Sequence, residues 1–168
     1  MKKLNTNQTR ILKIAHILFF VMWAGGGITL VTLMFIARPS IPDDIYMKFR
    51  SMQVIYDLII IPGALGSLAT GLLYGIWTKW GFFRHRWLTI KWILTVSLIL
   101  FGTFALGPWL NGNVEIAMKL RGGALSDSIF TANTSQIKLW GTVQVIFLLF
   151  MIAISVIKPW KRSAAAGE

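Results

Sequence analysis

The chain contains two histidines, His16 and His85, and no cysteine. Thiolate metal sites, disulfides and cysteine nucleophiles are therefore excluded. His16 stands in KIAHILFFVMWAGGG, an apolar stretch in which an ionisable group is costly and points to function. A neutral imidazole there can ligate heme iron through one ring nitrogen, or pass a proton. Lys91 stands in a second apolar stretch, WLTIKW. It reads either as a cation snorkelling to the headgroups or as a buried amine that pairs with an anionic ligand group. Asp57 lies near the edge of a third apolar stretch. Arg38 and Lys138 fall at the same edge, so a structural ion pair is its plainer reading. No phosphate loop, metal-ligand cluster or nucleophile constellation accompanies these residues.

Helix periodicity places them. At about 100° per residue, His16, Phe20, Trp23, Gly27, Leu30 and Met34 share one stripe. Lys91, Thr95, Leu98, Gly102, Ala105 and Trp109 share another, and Asp57, Ala64, Leu68, Gly71 and Gly75 a third. At about 1.5 Å per residue, His16 and Lys91 fall at one depth, roughly 6–8 Å inside the apolar layer, with Thr70 and Gly71 near that level. A histidine and a lysine then face a gap lined by small residues. His16, Lys91, Trp23, Gly27 and Gly71 are the candidate cofactor-binding residues, with His16 the candidate metal ligand. His85 counts to roughly 10 Å from His16 along the membrane normal, too far for the two axial ligands of one heme, and reads as a headgroup residue.

Two readings stay open for several of these positions. If the first helix starts near Ile17 rather than Ile11, His16 sits among headgroups instead of inside the span. The glycines at 25–27, the PGALG at 62–66 and the G-x-x-x-G at 71–75 serve close helix packing in lipid. Alternatively, they leave room for a flat ligand. Pro62 is expected to kink its helix and widen the bundle on one side.

The elements that carry these residues are apolar runs over about 11–37, 54–77, 87–110 and 139–157. Each meets the roughly 20 residues needed to cross a bilayer core. The first is too long for a signal-peptide core. Across 168 residues, 55% are hydrophobic, only 14% are charged and the mean hydropathy is +0.65. The net charge of +11 does not indicate nucleic acid, because the basic residues gather at the ends of the apolar runs. Their bias places both termini in the cytoplasm, with the protein multi-pass in the cell (inner) membrane. The fold expected is all-α: an integral membrane bundle of four transmembrane helices running up and down, one domain over 1–162. A short interfacial helix through Tyr46, Phe49 and Met52 is expected in the first connection. A short amphipathic helix before Gly122-Gly123 is expected in the outer loop 111–138. The tail 163–168 is small and featureless and is assigned no function.

HILFFVMWAGGG, IPGALGSLATGLLYG and WLTIKW together resemble a bacterial family of small predicted integral membrane proteins, the domain of unknown function numbered twenty-two sixty-nine. The likeness spans all four runs and implies no activity. More distantly, His16 and the W-x-x-x-K of Trp87 to Lys91 are similar to the HemJ-type protoporphyrinogen oxidases and the CopD-type copper-resistance membrane proteins. HemJ-type proteins bind b-type heme, so this resemblance implies a porphyrin-sized cavity at His16 and Lys91. The function expected is a membrane protein that binds heme b or a porphyrin near its cytoplasmic side, with a redox role. The alternatives are a small transporter or ion-conducting component, a non-catalytic assembly partner, and no cofactor at all. The expected partners are the lipid bilayer, a porphyrin or quinone, and a second copy of the chain.

Overall fold

The computed structural model describes residues 4–37, 41–77 and 86–157, among which there are helices and no strand. Helix α1 (Thr6–Ile36) starts well before its apolar run because Asn5 and Gln8 form a capping box. The Asn5 side chain accepts from the Gln8 amide at 2.8 Å, and Gln8 accepts from the Asn5 amide at 3.0 Å. At the other end, the Lys48 ammonium donates to the carbonyls of Met34 and Ala37, at 3.2 and 2.9 Å. A cation thus closes a helix C-terminus, where unpaired carbonyls gather.

Helix α2 (Pro42–Ile55), a π-helical turn (Tyr56–Ile60) and α3 (Ile61–Trp77) form one long helix. Helix α4 (Arg86–Phe101), a second π-helical turn (Gly102–Leu106), α5 (Gly107–Leu120) and a 3-10 turn (Arg121–Ser126) form the next. Helix α6 (Ser128–Ile157) follows, its first turn fastened by Asp127, which accepts from the Phe130 amide at 2.8 Å. The four long helices are each apolar and long enough to cross a membrane, as the sequence leads one to expect. They carry a belt of exposed apolar side chains, among them Ile11, Leu18 and Val21 on α1, Leu58 and Leu65, Ile93 and Phe104, and Ile146 and Val156. That much exposed apolar surface is stable against lipid rather than water. Both described chain ends lie at one end of the bundle, the terminal end, where the Leu4 amide donates to the Trp77 carbonyl at 3.3 Å.

Two apolar cores stack along the bundle. The middle one gathers Trp23, Ala24, Ile60, Ala64, Leu98, Leu148 and Met151. The distal one gathers Met34, Ile45, Phe49, Met52, Leu110, Val114, Ala117, Ala124, Phe130 and Ile137. This distal core revises the expected boundaries. The helix through Tyr46, Phe49 and Met52 forms, but it runs on into the second apolar run rather than lying apart. Most of 111–138 is not loop: α5 and the start of α6 extend through it. Apolar residues three and four apart bury one face of each extension, while charged residues on the other face lower the mean hydropathy.

The glycines serve packing at particular positions. A Cβ at Gly63 would stand 2.6 Å from the Trp23 backbone nitrogen, and one at Gly66 would overlap the Phe19 ring. Helices α1 and α3 touch more extensively than any other pair, and these two glycines make that approach possible. Gly25, by contrast, faces open space.

The bend expected at Pro62 takes a different form. The Ile61 amide reaches back to the Tyr56 carbonyl, and the Gly107 amide reaches back to that of Gly102. Pro62 and Pro108 follow directly, and neither has an N–H with which to continue the α-helical ladder. Widening to a π turn accommodates each proline. Beside these turns α3 and α4 make little contact, which leaves a cleft between the second and third long helices.

Candidate functional site: a histidine anchored between helices

His16 lies in the interior of α1 and is half-buried, because the capping box starts the helix at Thr6 rather than near Ile17. Its Nδ1 stands 2.9 Å from Thr70 Oγ1 on α3. Thr70 Oγ1 also lies 2.6 Å from the Gly66 carbonyl and 3.1 Å from that of Ser67. Both are acceptors only, so the single hydroxyl proton of Thr70 is committed to them. The hydroxyl lone pair then faces the imidazole, and the ring donates through Nδ1. Nε2 keeps the lone pair of a neutral imidazole, the form in which histidine ligates metals.

Gly71 follows Thr70 and brings no side chain towards the ring. A Cβ there would be 3.6 Å from His16 Cε1 and 3.7 Å from the Trp92 indole. The depth count that put Thr70 and Gly71 level with His16 therefore holds. Lys91 lies near enough for its charge to act on His16. Its ammonium donates to Ser155 Oγ on α6 at 2.7 Å, and Ser155 donates to the Met151 carbonyl at 2.6 Å. One level of the bundle thus holds an imidazole anchored through Nδ1, a lysine held through a serine, and a glycine beside the His16 and Trp92 rings.

Trp23 and Gly27 do not join that level. Trp23 is 1% exposed within the middle core. Both residues line a small cavity of about 50 Å³, together with Leu30, Met34 and Gln144. The stripe itself is correct, since Gly27 faces Val145 and Leu148 of α6. However, Trp23 lies two helical turns from His16, so the five candidate residues divide between two levels. Asp57 forms no ion pair among the described residues and lines the cleft between the second and third long helices. Lys138 stands over the Phe35 ring instead, at 5.9 Å. His85, Arg38 and the tail 163–168 fall outside the described residues.

Sequence reading missed Ser155, whose register on α6 no motif marks, and Gln144, an amide in an otherwise apolar run. It also missed Tyr56, whose hydroxyl donates to the Gly102 carbonyl at 2.8 Å and ties the two π turns together. The repeated pairing of a π turn with a proline, at Pro62 and Pro108, was the available signal. No protein-family model, no curated protein and no solved structure matches the chain.

Proposed function

We propose that the chain is a multi-pass membrane protein that holds a b-type heme, or the related porphyrin, beside His16 at the terminal end of the bundle, in a redox role. The observation that carries this reading is the Nδ1···Thr70 contact, which fixes the tautomer with Nε2 available. Among the described residues, no three His, Asp or Glu side chains converge on one point. A lone imidazole is compatible with an iron whose other ligands a porphyrin supplies. His16 would hold the iron through Nε2, Thr70 would orient the imidazole, and Lys91 would pair with a propionate. When bound, the heme supplies one-electron transfer. Arg10 and Lys13 precede His16 on α1, and Lys2 and Lys3 precede them in the sequence, which favours a cytoplasmic terminal end in the cell membrane.

The test is visible absorption of the purified protein supplied with hemin, oxidised and then reduced with dithionite. A Soret band with sharp reduced peaks is expected, abolished in His16→Ala and retained in His85→Ala. Protein that stays colourless after hemin is added overturns the reading.

A further inference from the structure

The cleft between the second and third long helices holds about 490 Å³. That is within the range of pockets that hold small organic ligands, roughly 300–1,000 Å³. Its floor is buried and its rims are not. Trp23, Ile60, Ala64 and Leu98 form the floor, while Ile61, Leu65 and Thr103 on the rims are exposed. The cleft therefore opens sideways. On both helices its rims continue into the apolar belt that faces lipid, at Leu58 and Phe104.

The polar groups of the cleft sort by depth. At the distal end Asp57 and Asn111 are exposed, and the Asn111 side-chain oxygen accepts from Gln53 Nε2 at 2.7 Å. Deeper in, the hydroxyls are already spent. Tyr56 donates to the Gly102 carbonyl at 2.8 Å, and Thr103 donates to that of Ile99 at 2.9 Å. Gln144 is an amide on the floor, but its Oε1 is sealed from the cleft. From Ala64 and Leu65 across to Leu98 and Ile99 the walls are apolar. A held water needs two to four polar partners, and these side chains offer none. Along the third long helix the lining runs from Asn111 to Leu98, about 20 Å, and along the second from Asp57 to Leu65, about 12 Å. The space is thus a slot along the bundle axis, polar at the distal edge of the apolar layer and apolar further in.

We infer that this cleft holds one fatty acyl chain of a membrane lipid, its polar end beside Asp57 and Asn111 and its methyl end against Ala64 and Leu98. The surrounding medium and the lining together select this occupant. Acyl chains are the solvent on the open side of the slot. An empty apolar slot forfeits dispersion contacts on every wall, and a flexible chain entering from the side restores them. The lining changes from polar to apolar in the same direction as a lipid leaflet, from headgroup to hydrocarbon, which sets the direction of the chain. Asp57 stays exposed among headgroups, so the apolar floor rather than charge does the recognising. The inference does not rest on the His16 reading, which concerns the terminal end of the bundle.

Phosphatidylcholine with a diazirine near the methyl end of one chain, photolysed in nanodiscs that hold the full chain, tests it. Insertion is expected at Ala64 and Leu98, which are only 7 and 8% exposed and lie beyond the reach of a chain on the outer surface. It should exceed by at least tenfold the insertion at Leu148, which is buried in the same core but does not line the cleft. Ala64→Phe fills the floor, and Thr103→Trp narrows the mouth from an exposed position that leaves the core intact. Each should cut insertion at Leu98 at least tenfold and leave insertion at the exposed Ile146 unchanged, which also reports a folded bundle. Palmitic acid added to the disc should compete for the floor. Insertion at Leu98 no greater than at Leu148, or equal to wild type in both variants, overturns the inference. Competition by the isoprenoid alcohol phytol without competition by palmitic acid overturns it too, in favour of an isoprenoid chain.

Discussion

At the scale of single residues, Thr70 decides what His16 can be. Its hydroxyl accepts from Nδ1 only because its own proton is spent on the Gly66 and Ser67 carbonyls. Thr70→Val keeps the shape and removes that acceptor. The ring is then free to turn or change tautomer, and hemin affinity should fall about 10–100-fold, as when a metal-ligating histidine loses the hydrogen bond that orients it. A hemin titration with unchanged affinity would remove the role assigned to Thr70. The glycines allow a sharper contrast. Gly63→Ala drives a methyl against the Trp23 backbone and should destabilise the bundle by about 1–3 kcal/mol. Gly25→Ala meets nothing within 4 Å and should be neutral or stabilising by up to about 1 kcal/mol, the usual helix-propensity gain. Unfolding in mixed micelles with increasing dodecyl sulfate measures both, and equal effects would undo the packing argument.

At the scale of elements, the decisive features are the two π turns and the hydroxyl that joins them. Tyr56→Phe removes the hydrogen bond to the Gly102 carbonyl, the polar tie across an otherwise loose α3–α4 contact. The expected loss is about 0.5–1.5 kcal/mol in the same unfolding measurement, with the helical signal unchanged. No loss would mean that packing alone holds the turns together. This scale also shows where sequence reading stops. The level shared by His16, Thr70 and Gly71 was legible, because depth along a regular helix is simple counting. The cleft was not. A π turn inserts a residue into the count and shifts every later side chain around the helix, so a stripe drawn across Gly102 and Ala105 loses its phase. Gln144 and Ser155 are single polar residues in α6, and only the fold reveals what each of them meets. The distal helices were hidden for a third reason. Ile45, Phe49, Leu110 and Val114 bury one face, yet the charged opposite face makes the stretch average out like a loop.

At the scale of the whole molecule, the four-helix reading makes two claims that can be separated. The first is that the distal core is folded structure beyond the apolar layer. Asn113 there is fully buried, donating to the Phe130 carbonyl at 3.3 Å and to Thr134 at 2.9 Å. Amide hydrogen exchange should therefore find residues 110–120 and 130–138 protected, with faster exchange around the 3-10 turn at 121–126. Uniform rapid exchange across 111–138 would return that stretch to a loop. The second claim concerns topology, and the absence of native cysteine makes it direct to test. Asn7 is exposed at the terminal end and Glu115 is exposed on the distal extension, so three spans separate them. Asn7→Cys and Glu115→Cys, made singly, should react with a membrane-impermeant maleimide from opposite sides. With the termini cytoplasmic, Glu115→Cys labels in intact cells and Asn7→Cys only after lysis. The reverse pattern would invert the bundle and put the His16 site on the outer face, where a cytoplasmic supply of porphyrin could not reach it directly. Labelling of both in intact cells would break the four-span arrangement itself, since three crossings cannot return the chain to the same side.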